Sequence, residues 1–174
     1  MGAIIGVDPG VSGAIALLDG DLIKIYPMPC DLKPVYRGGK KTNRRVLNAS
    51  ALVTMLESIR ARCPDPLLVL EFVQARPSIR GQRDSLTSAD SFGFQRGVWT
   101  GVCAALSIRM EVVTPSAWKR RMGLLKADKD ASRKLVCELF PQVEDQFAWK
   151  NTHDRAEALL IAEDARRRNE ADHV

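Results

Sequence analysis

Five residues of this chain have side chains and spacing that suit metal or phosphate chemistry: Asp8, Glu71, His153, Asp154 and Glu157. Asp8 follows the apolar run Ala3 to Val7 and precedes Pro9-Gly10, which breaks a strand just after it. A carboxylate at the carboxyl end of a buried strand stands where ligands of open α/β sheets bind. Glu71 repeats the pattern, because Leu67-Leu68-Val69-Leu70 reads as a continuous buried strand that ends on it. Asp154 and Glu157 are three apart in a helical stretch and so share a helix face; His153, four before Glu157, can share it too. Each residue also has a plain structural reading. Asp8 can cap a turn, Glu71 can be an isolated strand-end residue, and acids in a first helical turn are favoured by the helix dipole.

The apolar residues Ala156 and Leu159 to Ala162 bury the last helix, so it should pack on the sheet and bring Asp154 and Glu157 beside Asp8 and Glu71. Four carboxylates do not cluster without a counter-charge, since like charges repel and burial disfavours ionisation. Divalent cations resolve the conflict: Mg²⁺ prefers oxygen ligands and keeps open water positions. Two such ions about four ångströms apart stabilise the attacking and leaving oxygens of a phosphodiester displacement.

The elements needed to position these residues are legible in order. Ala3 to Val7, Ala14 to Leu18 and Leu22 to Tyr26 read as a three-stranded antiparallel meander, with Asp19-Gly20 as a hairpin turn. Residues 27 to 47 read as an irregular basic loop, because Pro27, Pro29 and Pro34 oppose regular pairing and Gly38-Gly39 loosen the backbone. A helix capped by Asn48 or Ser50 runs to about Ala61. After the strand ending at Glu71 and a polar loop over 72 to 88, a helix with Phe92, Phe94, Trp99 and several small residues runs to Ser107. Met110 to Val113 is a fifth strand, Thr114-Pro115-Ser116 opens a short helix, Lys129 to Phe140 is another, and the last runs from His153 to Arg168. These make one domain over 1–168, with 169–174 as a frayed tail.

A net charge of +5 is compatible with a polyanionic partner. Lys33, Arg37, Lys40, Lys41, Arg44 and Arg45 form a one-signed run interrupted by Tyr36, with no acid between Asp31 and Glu57. Lys119, Arg120, Arg121, Lys126 and Lys129 form a second cluster beside Trp118, and Arg80 and Arg83 lie in the loop after Glu71. Basic surface with interleaved aromatics suits nucleic acid, although a solvated helix face or loop is the ordinary alternative. The four cysteines have no metal spacing and read as reduced thiols, no stretch has the length of a membrane span, and no secretory signal is visible. A cytoplasmic protein is expected.

The motifs Ile-Gly-Val-Asp-Pro-Gly around Asp8, Val-Leu-Glu around Glu71 and Asp-Arg-Ala-Glu-Ala-Leu-Leu-Ile-Ala from Asp154 resemble the RuvC-type Holliday-junction resolvases of the RNase H-like superfamily. Val-Asp-Pro-Gly-Val-Ser-Gly-Ala, Phe-Gly-Phe…Trp-Thr-Gly, Val-Thr-Pro-Ser-Ala-Trp-Lys-Arg and Asp-Lys-Asp-Ala-Ser-Arg are similar to the branch containing the chloroplast resolvases. The resemblance runs from Ala3 to about Ala165. It implies an α/β, RNase H-like fold: a five-stranded mixed sheet, with an antiparallel three-strand meander plus parallel strands, flanked by helices. It implies an endonuclease that resolves four-way junctions by paired nicks. Asp8, Glu71, Asp154 and Glu157 would be catalytic and hold two Mg²⁺ ions, for which Mn²⁺ can substitute, with His153 as ligand or base.

It further implies a homodimer and a branch-migration helicase as partner; the Phe92–Ser107 helix, with its Gly and aromatic content, is the candidate dimer surface, with core packing as the alternative. Lys119, Arg120, Arg121, Lys126, Lys129, Arg80, Arg83, Lys40 and Lys41 would contact the DNA backbone. The sequence departs from the family after Glu71, where Glu-Phe-Val-Gln replaces Glu-Gln-Val-Phe and moves the aromatic to Phe72, which either keeps the DNA contact or belongs to the core. Two other readings stay open: a catalytically silent DNA-binding module on the same fold, and an actin-like or sugar-kinase-type phosphotransferase. Asp-x-Gly-x-x-Ser-Gly-Ala also occurs in the phosphate loops of those kinases, but their two duplicated domains need a longer chain.

Overall fold

A computed structural model describes residues 2–72, 86–128, 130–149 and 152–172. Its centre is β1 (Ile4–Asp8), whose first four residues are buried. β2 (Ala14–Asp19) pairs with it antiparallel, and β3 (Leu22–Pro27) continues the meander on the outer edge of β2. The turn between β2 and β3 holds Gly20 at φ +56, the left-handed conformation that the Asp-Gly pair supplies at low cost. On the other side of β1, β6 (Leu67–Glu71) and β7 (Arg109–Val113) pair parallel, giving the sheet order β3-β2-β1-β6-β7. The expected five-stranded mixed sheet is therefore present. β1 and β6 are covered on both faces, which is why their sequences are nearly continuous apolar runs rather than alternating ones.

Helices cover both faces. α1 (Ala49–Arg62) is capped by Asn48, whose side chain accepts the Ala51 N–H. Together with α2 (Leu86–Ala105), it buries Leu52, Leu56, Ile59, Trp99 and Cys103 against Ile5, Val7, Leu68 and Leu70. The opposite face receives α3 (Pro115–Arg121), α4 (Ala131–Leu139), a 3₁₀ segment (Pro141–Phe147) and α5 (His153–Ala171). Their apolar residues meet Ile4, Val69 and Val113. α5 extends three residues beyond Arg168, to Ala171.

Residues 30–47 differ from the expected irregular loop. They form a second, two-stranded sheet of β4 (Cys30–Arg37) and β5 (Lys40–Leu47), paired residue for residue from Cys30–Leu47 to Arg37–Lys40. Pro34 is accommodated because a two-stranded ribbon has an open edge on each strand, so its missing N–H breaks no ladder. Gly38 and Gly39, at φ +54 and +77, supply the two left-handed residues of a tight hairpin turn, so the glycines define the ribbon instead of loosening it. Most of the ribbon's side chains are exposed, including Leu32 at 66% and Tyr36 at 71%.

Candidate active site

Strand register brings the first two carboxylates together. β1 and β6 run parallel with Val7 beside Leu70, so the next rung sets Asp8 beside Glu71. Side chains alternate across a sheet, and Asp8 shares its face with Ile4 and Gly6, as Glu71 does with Leu67 and Val69. That is the face covered by α5. A Cβ at Gly6 would collide with the Ala158 carbonyl and stand 2.6 Å from the Ala162 nitrogen. Glycine thus lets α5 lie directly on β1, and the first turn of α5 comes over the strand ends carrying Asp154 and Glu157. A Cβ at Gly13 would collide with the backbone carbonyl of Asp8, so glycine keeps the β1–β2 connection folded tightly behind that residue.

The electrostatics follow from this convergence. Burial, then the charge of Glu71, then the charges of Asp154 and Glu157 push the Asp8 carboxyl up from 3.8 to about 7; the Gly10 N–H, 3.3 Å from Oδ1, acts in the opposite direction. Glu71, only 7% exposed, is also raised, chiefly by burial, while the Trp118 indole N–H that donates to its Oε1 at 2.7 Å favours the ionised form. Lys119 Nζ donates to Glu157 Oε1 at 2.7 Å, and the Ser132 hydroxyl reaches the same oxygen at 3.3 Å. His153 is half-exposed and pairs through Nε2 with Asp154.

Each carboxylate thus has its own protein or backbone partner. Among the described residues no three His, Cys, Asp or Glu stand at a separation that would already enclose an ion. The donor set nevertheless fits a hard divalent cation: it is all-oxygen, it is anionic, and its most buried aspartate lacks a full counter-charge.

The basic residues named from the sequence divide into three groups. Lys40 and Lys41 are exposed on the ribbon, Arg120 is exposed on α3, and Lys126 is exposed after it. Lys119 and Arg121 are engaged internally. The Arg121 guanidinium grips Asp164 with two bonds of 2.6 Å, and the Asp164 side chain is 2% exposed, so this arginine ties α3 to α5. Arg80, Arg83 and Lys129 lie outside the described residues. Phe72 is half-buried and carries the Arg96 guanidinium 5.3 Å from its ring centre. With Phe92 and Gln95 it lines a cavity of about 210 Å³ that reaches Asp8 and Glu71 from the α2 side. In α2, Trp99 and Cys103 are core residues, whereas Gly93, Gly97 and Gly101 lie exposed.

Two aromatics have roles the sequence did not reveal. Trp118 sits within a cationic segment and reads there as part of a basic surface, yet it is fully buried and donates to Glu71. The available signal was its spacing: in a helix begun by Pro115, Trp118 is the residue that can face the sheet, while Arg120 turns to solvent and Lys119 and Arg121 reach α5. Trp149 lies in the connection before α5 and is 75% exposed; a lone tryptophan in a loop gives no sequence signal of exposure.

In architecture the chain matches RuvC. Thermus thermophilus RuvC in complex with a Holliday junction substrate superposes with a TM-score of 0.58 at 11% identity, covering 97% of this chain and 96% of that one. A second T. thermophilus RuvC structure gives 0.50 at 16% identity, with 96% of each chain covered. The chain therefore has the RNase H-like fold in its RuvC form. In sequence it is 30% identical over 131 residues to the chloroplastic Holliday junction resolvase MOC1 of Chlamydomonas reinhardtii. That match takes in 71% of this chain but only 15% of the length of MOC1. No protein-family model matches. The resemblance to RuvC-type resolvases read from the motifs is borne out in fold by RuvC and in sequence by MOC1.

Proposed function

We propose that the chain is a metal-dependent endonuclease that resolves four-way DNA junctions by paired, symmetric nicks. The observation that carries this reading is the convergence on Asp8 of Glu71, Asp154 and Glu157: four carboxylates from three elements, where burial first and the neighbouring negative charges second hold the Asp8 proton. Asp8 and Glu71 would hold one divalent ion between them, with Asp154 and Glu157 completing a two-ion site for Mg²⁺ or Mn²⁺. When bound, such ions activate water as a nucleophile and stabilise the departing oxygen of the phosphodiester.

The protein's own groups do the rest. The Trp118 N–H fixes one oxygen of Glu71, and the other has no partner among the described residues. Lys119 neutralises Glu157 and, with its side chain 30% exposed, presents an ammonium to an incoming phosphate. His153 orients Asp154 from the solvent side. The products would be a 5′-phosphate and a 3′-hydroxyl.

Lys40 and Lys41 on the ribbon, Arg120 on α3, Lys126 after it, and Arg80, Arg83 and Lys129 would contact the DNA backbone. Two symmetric nicks require two active sites, hence a homodimer with two-fold symmetry. The α2 face bearing Gly93, Gly97 and Gly101 is its proposed surface, because a Cβ at any of the three would meet nothing within 4 Å. Among the described residues no helix is long and apolar enough to cross a membrane. A cytoplasmic location and a helicase partner remain parts of this reading.

The deciding experiment is cleavage of synthetic four-way, three-way and flap DNAs with Mg²⁺ or Mn²⁺, mapping each nick. Symmetric nicks in four-way junctions, absent in Asp8→Asn although that variant still binds them, are expected. Junction binding without any nick in Mg²⁺ would leave the silent DNA-binding module as the better reading, and nicking by Asp8→Asn would remove the metal assignment.

A further inference from the structure

A groove of about 880 Å³, with no described α2 residue in its walls, reaches the candidate active site at Asp154. Its walls include Ser12 and Gly13 of the β1–β2 connection, Arg45 of the ribbon, Trp149 of the last connection, and Asp154 and Arg155 of α5. Trp149 is the most exposed large hydrophobic residue of the described chain, at 75%. Arg45 and Arg155 are exposed as well. Two arginines and two carboxylates, Asp145 and Asp154, line the groove, so charge alone does not select a ligand. What distinguishes it is an exposed indole in a groove whose walls also carry two arginines and Asp154. A nucleotide matches both features at once: its flat base stacks on an aromatic face and its phosphate pairs with arginine.

We infer that this groove is a binding site for an unpaired stretch of the DNA strand flanking the scissile phosphate, with a base stacked on Trp149 and phosphates held by Arg155 and Arg45. The inference rests on the nuclease reading above and adds a subsite to it. A strand that delivers its phosphodiester to Asp8 and Asp154 has to leave the site over one of its walls, and this wall carries an aromatic platform. Base stacking is tolerant of sequence, so the subsite holds strands opened at a branch point without selecting the bases themselves.

The protein's own fluorescence tests this. Trp99 and Trp118 are fully buried and Trp149 is exposed, so the acrylamide-quenchable emission reports Trp149. Free protein is titrated with a four-way junction in Ca²⁺, to hold off cleavage, and separately with oligothymidylate. Both should shield Trp149 from acrylamide. Trp149→Ala should bind oligothymidylate about tenfold more weakly, in the range measured for loss of one stacked base, with Trp149→Phe in between. Arg155→Ala should weaken binding and lower the salt slope by about one. Because Trp149 is exposed, melting temperatures of its variants should match the wild type.

Saturating junction that leaves Trp149 as quenchable as in the free protein overturns the inference, as does unchanged oligothymidylate affinity in Trp149→Ala. Shielding of Trp149 already present without DNA, and rising with protein concentration, would assign the face to a second copy of the chain instead. A wild-type protein that nicks junctions with Trp149 unshielded loses only this subsite, whereas one that neither binds nor nicks branched DNA loses the nuclease reading itself.

Discussion

Asp8 is the residue at which burial and chemistry meet. Its carboxyl, held up to about 7 in the metal-free protein against an ordinary 3.8, binds its proton more tightly folded than unfolded. Stability from this group is therefore fully present below about pH 4 and is lost as pH rises toward 7; Glu71, raised by the same burial, acts in the same direction. The stability of wild type minus that of Asp8→Asn, from urea midpoints in EDTA, should fall between pH 4 and 7. Mg²⁺ should flatten that fall by taking the proton's place, and a difference independent of pH in EDTA would contradict the coupling.

Trp118 offers a second test at this scale. Trp118→Phe removes the indole N–H from Glu71 Oε1 and shrinks a fully buried side chain. A loss of about 2–4 kcal/mol from the cavity and the unpaired acceptor is expected in urea unfolding. If the indole positions Glu71, Mn²⁺ affinity measured calorimetrically should also drop several-fold while junction affinity in Ca²⁺ holds. Lower stability with unchanged Mn²⁺ affinity would make Trp118 a core residue only.

At the scale of elements, the site depends on how closely α5 lies on β1, and Gly6 sets that distance. Gly6→Ala would drive a methyl into the Ala158 carbonyl and the Ala162 nitrogen, both backbone atoms that move only with the whole helix. Overpacking of this kind costs about 1–3 kcal/mol, and the displaced helix should carry Asp154 and Glu157 away from Asp8. The check is urea unfolding together with Mn²⁺ titration: both should weaken, and full Mn²⁺ affinity in a destabilised variant would show that the site tolerates the shift.

The same elements show what a sequence conveys. The buried strands ending on Asp8 and Glu71 were legible because apolar runs and their breakers are local signals, and the α5 carboxylates because helical spacing is local too. The ribbon over 30–47 was not, since a proline such as Pro34 argues against a strand wherever both of its edges are paired and ceases to matter when one edge is open. Nor were the Arg121–Asp164 and Trp118–Glu71 contacts, 43 and 47 residues apart in sequence, which arise only when α3 docks between β6 and α5.

For the whole molecule, the issue is how one such site would make two cuts. α2 buries Trp99 and Cys103 on the sheet and turns Gly93, Gly97, Gly101 and the half-exposed Phe94 outward. Glycines four apart form a flat stripe along a helix, and removing side chains from a stripe allows a second helix backbone to come close. A two-fold axis through that stripe would make the interface self-complementary. Gly97→Leu, exposed and with open space around its Cβ, should leave the monomer fold intact while blocking the approach.

Sedimentation should then show a dimer for the wild type and a monomer for the variant. On a supercoiled plasmid with an extruded cruciform, paired nicks within one complex yield linear DNA, whereas independent nicks relax the cruciform first and yield nicked circles. The variant should therefore shift the product from linear to nicked circular at similar initial nicking rates. A dimer that survives Gly97→Leu with linear product intact would move the two-fold axis to another face of the molecule.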